Sequence, residues 1–251
     1  MTRPNFRRRV VFDKVVNFRD LGGFLTTDGK KVASGHLFRS GILSFASDLD
    51  LVRLRNLGIR SVVDLRTSAE IEMQGQADTG RIRGSMFHIP VLEKLWDSSM
   101  FDMAVDPVLF LSARYSEILE HHGQNLVKAV SAIIESRGPV VFHCSAGKDR
   151  TGLVAALLLE ALGVAETDIV ADYEATVPEM DSLLALMRSV NPMFEEQMRS
   201  QPVAFLAAPA EAMSRTLTNL RWTDGGAVQY LLRSGLPKSL LRDLCTRMLS
   251  R

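Results

Sequence analysis

The chain has 251 residues, 46% of them hydrophobic, with a net charge of +1, enough to bury the core of one sizeable α/β domain with a helical appendage. Its charges are interspersed, which excludes nucleic acid as the expected partner. Two cysteines, Cys144 and Cys245, make no disulfide framework and fit a reducing compartment.

Residues 1–10 are polar and basic and lack the apolar stretch of a secretory signal. No run approaches the roughly 18 apolar residues needed to span a bilayer. The expectation is a soluble cytoplasmic protein without a transmembrane segment, any export being by a route without a conventional signal peptide. Arg7-Arg8-Arg9 fall short of a polybasic lipid-binding cluster and read as a solvated segment. Val15–Phe24, Asp28-Gly29 and Val32–Ser40 form a β-hairpin pattern, with Asp-Gly at its turn. Within it, Arg19 and Asp20 either pair with neighbours or face a substrate loop.

Leu51, Leu54 and Leu57 set one face of a helix from Ser47 to Leu57, ended by Gly58. Ile59–Leu65 reads as a buried strand leading into Asp64-Leu65-Arg66, and Thr67 with Glu70 has capping-box spacing for another helix. Asp64 and Arg66 thus fall at the carboxyl end of a parallel strand, the edge where ligand sites collect. Met86–Leu92 predicts a further strand, with an irregular segment through Met103. Asp106-Pro107 then caps a helix carrying Val108, Leu111, Tyr115, Ile118 and Leu119. His121 and His122 suit its negative end and have no cysteines or carboxylates at metal-ligand spacing. Leu126 to Ile134 form the next helix, closed by Gly138.

The central stretch is His143-Cys144-Ser145-Ala146-Gly147-Lys148-Asp149-Arg150-Thr151-Gly152, between the apolar run Pro139–Phe142 and an apolar helix from Leu153 to Leu162. A strand-to-helix turn of this kind can aim its backbone N–H groups inward and bind a phosphate-sized dianion, helped by the helix dipole. The same field favours the thiolate, the reactive form, at Cys144. Arg150 offers a planar fork to two phosphoryl oxygens. Ser145, Ala146, Gly147, Lys148, Thr151 and Gly152 complete the phosphate-binding set, with the Thr151 hydroxyl within reach of the thiolate or attacking water. His143 supports the loop through hydrogen bonds.

These residues match every fixed position of HCxxGxxR[ST]G and so resemble the cysteine-dependent protein tyrosine phosphatases. Asn17-Phe18-Arg19-Asp20-Leu21-Gly22-Gly23 and Leu37-Phe38-Arg39-Ser40, with the Cys-x-Ala-Gly-Lys-Asp-Arg loop, resemble an atypical, largely microbial subgroup. That subgroup includes a secreted mycobacterial enzyme active on tyrosine, serine/threonine and phosphoinositide phosphates. The resemblance implies a three-layer α/β fold with a central, mostly parallel sheet, an N-terminal hairpin and an extended C-terminal helical region. It also implies hydrolysis through a cysteinyl-phosphate, with no cofactor and no metal, on phosphorylated proteins or phosphoinositides.

Trp96-Asp97 lacks the proline that often accompanies a mobile acid loop, so Asp149 is the first candidate for proton donor, Asp64 the second and Asp97 the third. Lys148 adds a cation suited to more highly charged head groups. Beyond Gly163 the pattern is helical, with stretches 168–176, 178–190, 209–220, 225–232 and 237–249. The whole chain reads as one domain, a core over 15–176 and a helical extension over 177–251. Met180, Met187, Met193, Met198 and Met213 suggest that part of 178–222 forms a movable lid, the alternative being a fixed helical layer. Cys245 falls with Leu241, Leu244 and Met248 as a small core residue. Two other functions use a cysteine or anion loop of this kind: sulfurtransfer, and phosphate recognition without turnover. The oligomeric state is left open.

Overall fold

The computed structural model describes residues 8–96, 104–191, 193–199 and 202–250. Seven strands are found among them: β1 (Arg19–Asp20), β2 (Lys31–Val32), β3 (Leu37–Ser40), β4 (Ser61–Asp64), β5 (Ser85–His88), β6 (Val140–His143) and β7 (Leu249–Ser250). Five make one sheet in the order β1-β3-β6-β4-β5. Its pairings are parallel except at the edge, where β1 runs antiparallel to β3. β2 and β7 pair separately.

Strand alternation builds two cores. Leu37, Val63, Val140 and Phe142 face one side of the sheet, and Phe38, Val62 and Val141 face the other. On the second side lie α1 (Asp48–Asn56) and α3 (Thr79–Ile82), with Leu51, Leu54 and Ile82 buried; α2 (Ser68–Gln74) comes between them in the chain. The first side is covered by α4 (Pro107–His121), α5 (Gly123–Glu135) and α6 (Asp149–Ala161). This is the three-layer α/β fold expected. The expected caps are present, Thr67 with Glu70 and Asp106 before Pro107, and Ser47 with Asp50 adds a further capping box.

The hairpin region differs in its arms. The turn is there, with Leu25 opposite Lys31, but β2 leaves to pair with β7 while β1 pairs with β3. Asp20 draws the two bends together, accepting from the Gly22 and Gly35 N–H groups at 2.7 Å each. β5 is also shorter than the apolar run 86–92, because Pro90 has no N–H to continue a ladder.

The remaining helices are α7 (Glu166–Glu174), α8 (Met180–Val190), α9 (Phe194–Arg199), α10 (Ala210–Asp224), α11 (Ala227–Arg233) and α12 (Lys238–Met248). Met213, Leu217, Leu220, Tyr230, Leu231, Leu244 and Met248 belong to the main core. Met180, Leu183 and Leu186 of α8 instead form a small separate cluster with Val16 and Ile42, packed against Ala146 and Leu206. Met213 is therefore a core residue, while Met193 is exposed. Arg8 and Arg9, read as solvated, are paired with Asp172 at 3.0 Å and Glu179 at 2.6 Å. Among the described residues no helix is long and apolar enough to cross a membrane.

Candidate active site

β6 is buried along its whole length and delivers Cys144, 2% exposed, to the carboxyl edge of the sheet. The loop from Cys144 to Lys148 then enters α6. Its carbonyls are held by the surrounding body: Ser145 O by the Ile42 N–H at 2.9 Å, Ala146 O and Gly147 O by Asn17 Nδ2 at 2.9 and 3.2 Å, and Gly147 O by Arg39 Nη2 at 2.6 Å. Among the described residues, no hydrogen bond is donated by the backbone N–H groups of Ser145 to Lys148. Carbonyls fixed on one side and free N–H groups on the other make an anion nest at the start of a helix. Gly147 sits at φ +68, and a Cβ there would lie 2.4 Å from Ser40 O, so only glycine fits this turn.

Arg150 and Glu70 form a bidentate pair, Nη1 to Oε2 at 2.5 Å and Nη2 to Oε1 at 2.8 Å. Glu70 also accepts from Ser145 Oγ at 2.6 Å and from the Thr67 N–H at 2.9 Å. One buried carboxylate thus joins the N-terminus of α2 to both ends of the loop. Arg150 keeps its Nε and the second hydrogen of each terminal nitrogen for an incoming phosphoryl group. Burial would lift the Glu70 carboxyl, but the hydrogen bonds and charge of Arg150, with Ser145 and Thr67, bring it down to about 2.

A folded-state value below the unfolded one means that Glu70 stabilises the fold above its ordinary carboxylate range. That contribution is lost as pH falls through about 2. Glu70→Gln mimics the protonated group and is expected to lower kcat/KM by about 10²-fold at neutral pH by releasing Arg150. Acidifying the wild type from pH 7 to 4 should not reproduce that loss through Glu70; a matching loss there would contradict the pairing.

A second buried network supports the loop from beneath. Asp172 of α7 is 1% exposed and takes Arg19 Nε at 3.1 Å, Arg39 Nη1 at 2.7 Å and Arg8 Nη1 at 3.0 Å. Burial opposes its charge, yet Arg19, Arg39 and Arg8 hold its carboxyl well below the usual aspartate range. Arg39 is pushed down to about 10 by burial and by the charge of Arg19. Arg39 therefore links the Asp172 cluster directly to Gly147.

Asp149 opens α6 with its side chain 23% exposed. Its Oδ1 accepts from the Tyr115 hydroxyl at 2.6 Å and lies 3.4 Å from Lys148 Nζ. Lys148 is 1% exposed and donates to Phe205 O and Ala207 O, both at 2.7 Å, so it ties the loop to the segment after α9. Thr151 is fully buried, and its hydroxyl has no partner among the described residues. Gly152 packs beneath the Tyr173 ring, 3.1 Å from where a Cβ would stand.

Asp64 stands opposite His143 in the β4–β6 register. It is fully buried and doubly bonded to Arg66, Nε to Oδ1 at 2.9 Å and Nη2 to Oδ2 at 2.6 Å. Arg66 continues to Gln74 Oε1 and Gly75 O. His143, also fully buried, has Nε2 3.6 Å from Asp64 Oδ2 and Nδ1 3.2 Å from Cys144 O. Burial pushes the imidazole down, while the Asp64 carboxylate beside it works the other way. Burial would raise Asp64, but His143 and the Arg66 bonds outweigh it. Asp64, Arg66 and His143 form a supporting unit behind Cys144, and Asp20 holds the turns of the N-terminal region. Asp97 lies outside the described residues.

Residues 10–250 match the model of the tyrosine phosphatase family. The chain belongs to that family, a family of phosphoester hydrolases. A Cupriavidus necator protein, provisionally named a tyrosine-protein phosphatase, is 39% identical over 66% of this chain and 62% of its own length. The chain thus spans under two thirds of that relative. The triple specificity protein phosphatase PtpB of Mycobacterium tuberculosis is 28% identical over 91% of this chain and 94% of its own. The solved P. aeruginosa TpbA aligns over 75% of this chain and 89% of its own at 19% identity with a TM-score of 0.32, too low to bear on the fold.

Within this tyrosine phosphatase family member, Asp149 and Arg150 open α6 directly after the loop from Cys144, Asp64 pairs with Arg66 beside His143, and Asp20 holds two backbone turns. Sequence reading had placed Glu70 only as a cap and Tyr115 only as core. Arg39, a charge in the apolar run Leu37-Phe38-Arg39, was the visible signal of a buried partner.

Proposed function

We propose that this chain hydrolyses phosphotyrosine monoesters through a cysteinyl-phosphate intermediate. Phosphoserine, phosphothreonine and phosphoinositides form its wider substrate range. The observation that carries the reading is the loop itself: a buried Cys144 beside unpaired N–H groups and an arginine held in bidentate geometry. The name of the mycobacterial relative supports the wider range. Family membership weighs against sulfurtransfer, and the intact cysteine and arginine weigh against a binding module without turnover.

In the first step Cys144 Sγ attacks phosphorus in line while the N–H groups and Arg150 stabilise the equatorial oxygens. The S–P bond forms and the P–O bond breaks, the electron pair leaving with the phenol or alcohol oxygen. Asp149 supplies its proton; Asp64, enclosed with Arg66 and His143, serves as support. In the second step Asp149 takes a proton from water as that water attacks the phosphocysteine, and Thr151 is placed to assist the returning thiolate. Lys148 reaches a head-group phosphate only by leaving Phe205 O and Ala207 O, which ties lipid activity to movement of that segment. The chain acts as one domain, and α8, seated on its own small cluster over Ala146, is the part of the 177–251 extension suited to be a lid.

The test is a matched panel of phosphotyrosine peptide, phosphoserine peptide, an activated aryl phosphate and phosphoinositides. Asp149→Asn should lower the rate of the first step, phosphocysteine formation, by about 10²-fold or more for phosphoserine and leave that step little changed for the activated aryl phosphate. Equal small losses on both would move the donor role to another aspartate. In the same panel Lys148→Ala should weaken the phosphoinositides selectively; uniform loss would assign it to loop support alone.

A further inference from the structure

We propose that Tyr115 is a positioning residue for proton transfer: its hydroxyl fixes Asp149 Oδ1, leaving Oδ2 as the oxygen that delivers and recovers the proton. The inference rests on the reading of Asp149 as donor and goes beyond it by assigning the two oxygens different tasks. Tyr115, on α4, is fully buried, and its hydroxyl lies 2.6 Å from Asp149 Oδ1 and 2.6 Å from the Tyr173 hydroxyl. The two rings meet edge to face, 6.0 Å apart at 84°.

A phenol has one proton to donate. Asp149 as a carboxylate only accepts, so the Tyr115 proton points to Oδ1 and the Tyr173 proton to the Tyr115 oxygen. The chain Tyr173 to Tyr115 to Asp149 therefore has one polarity. Burial first, and then the charge of Asp149, pushes both phenols well above the ordinary tyrosine range, so neither loses its proton near neutrality. Lys148 Nζ faces the same Oδ1 at 3.4 Å. Among the described residues, Oδ2 receives no hydrogen bond, although the side chain is 23% exposed. A proton on Oδ1 would force the Tyr115 O–H to turn away and the chain to reverse its direction; a proton on Oδ2 leaves the chain as it stands.

The two steps follow from this asymmetry. As the S–P bond forms and the P–O bond breaks, the leaving oxygen takes the Oδ2 proton. The resulting carboxylate accepts a stronger hydrogen bond from Tyr115 than the acid did. Water attack reverses the transfer at the same oxygen. Tyr115 thus helps most where negative charge develops on Asp149, and least where the leaving group needs no proton.

Tyr115→Phe, which keeps the ring, is expected to lower the single-turnover rate of phosphocysteine formation from a phosphoserine peptide about tenfold, with the same rate for an activated aryl phosphate changed by less than about twofold. In an Asp149→Asn background the same replacement should cost nothing further. Equal loss across leaving groups, or the same loss in the Asn background, would assign Tyr115 to packing and overturn the proposal. If Asp149→Asn itself shows no dependence on leaving group, the donor reading fails instead. Tyr173→Phe covers the case of a Tyr115 variant that does not fold. It removes the hydrogen bond to the Tyr115 oxygen and should show the same leaving-group pattern at about two- to threefold; a uniform effect there counts against the chain.

Discussion

Cys144→Ser is expected to lower phosphate release by about 10⁴-fold or more on every substrate while the fold persists. The exchange keeps a small side chain at a site that is 2% exposed. It also keeps the contacts that hold the loop, since these run through the Ser145, Ala146 and Gly147 carbonyls. On the proposed mechanism what is lost is the nucleophilic sulfur, since an alcohol is the weaker nucleophile and has no base beside it in this loop to remove its proton. Phosphate release measured with the unfolding midpoint separates the two effects. An intact fold with activity within about tenfold of wild type would remove Cys144 from the chemistry.

Asp172→Ala is expected to be the most destabilising single change in the support beneath the loop, at about 3–5 kcal/mol. The cost comes from what remains: the Arg19 and Arg39 side chains, 5% and 1% exposed, lose their counter-charge and stay buried. Activity should fall with stability, because Arg39 then no longer holds Gly147 O from a fixed position. The Asp172 carboxyl is lowered by folding, so its contribution is complete above the ordinary aspartate range and disappears only in strong acid. Urea unfolding at neutral pH measures the effect; a loss below about 1 kcal/mol would show that the arginines find other partners.

The sequence carried the sheet and the loop because both are written in local pattern. The alternation in Val62-Val63 and Val140-Val141-Phe142 specifies two buried faces, and the run from Cys144 to Gly152 specifies a tight strand-to-helix turn. Residues that act across long separations were less legible. Arg39 and Asp172 are 133 positions apart, and nothing near either names the other. Glu70 satisfied a capping box, a complete local explanation that concealed its bonds to Arg150 and Ser145. Tyr115 lay on the apolar stripe of α4, where its ring is core and only its hydroxyl reaches Asp149. Lys148 was read for its charge, whereas its partners are two backbone carbonyls that carry no sequence signature.

The most direct test of covalent phosphoryl transfer is to mix the wild-type protein with a phosphotyrosine peptide, quench within the first turnover, and locate the added mass by digestion and mass spectrometry. One phosphoryl group on the peptide containing Cys144, appearing before phosphate is released and absent from Cys144→Ser, is the predicted result. Phosphate released at full rate with Cys144 unmodified throughout would contradict the account.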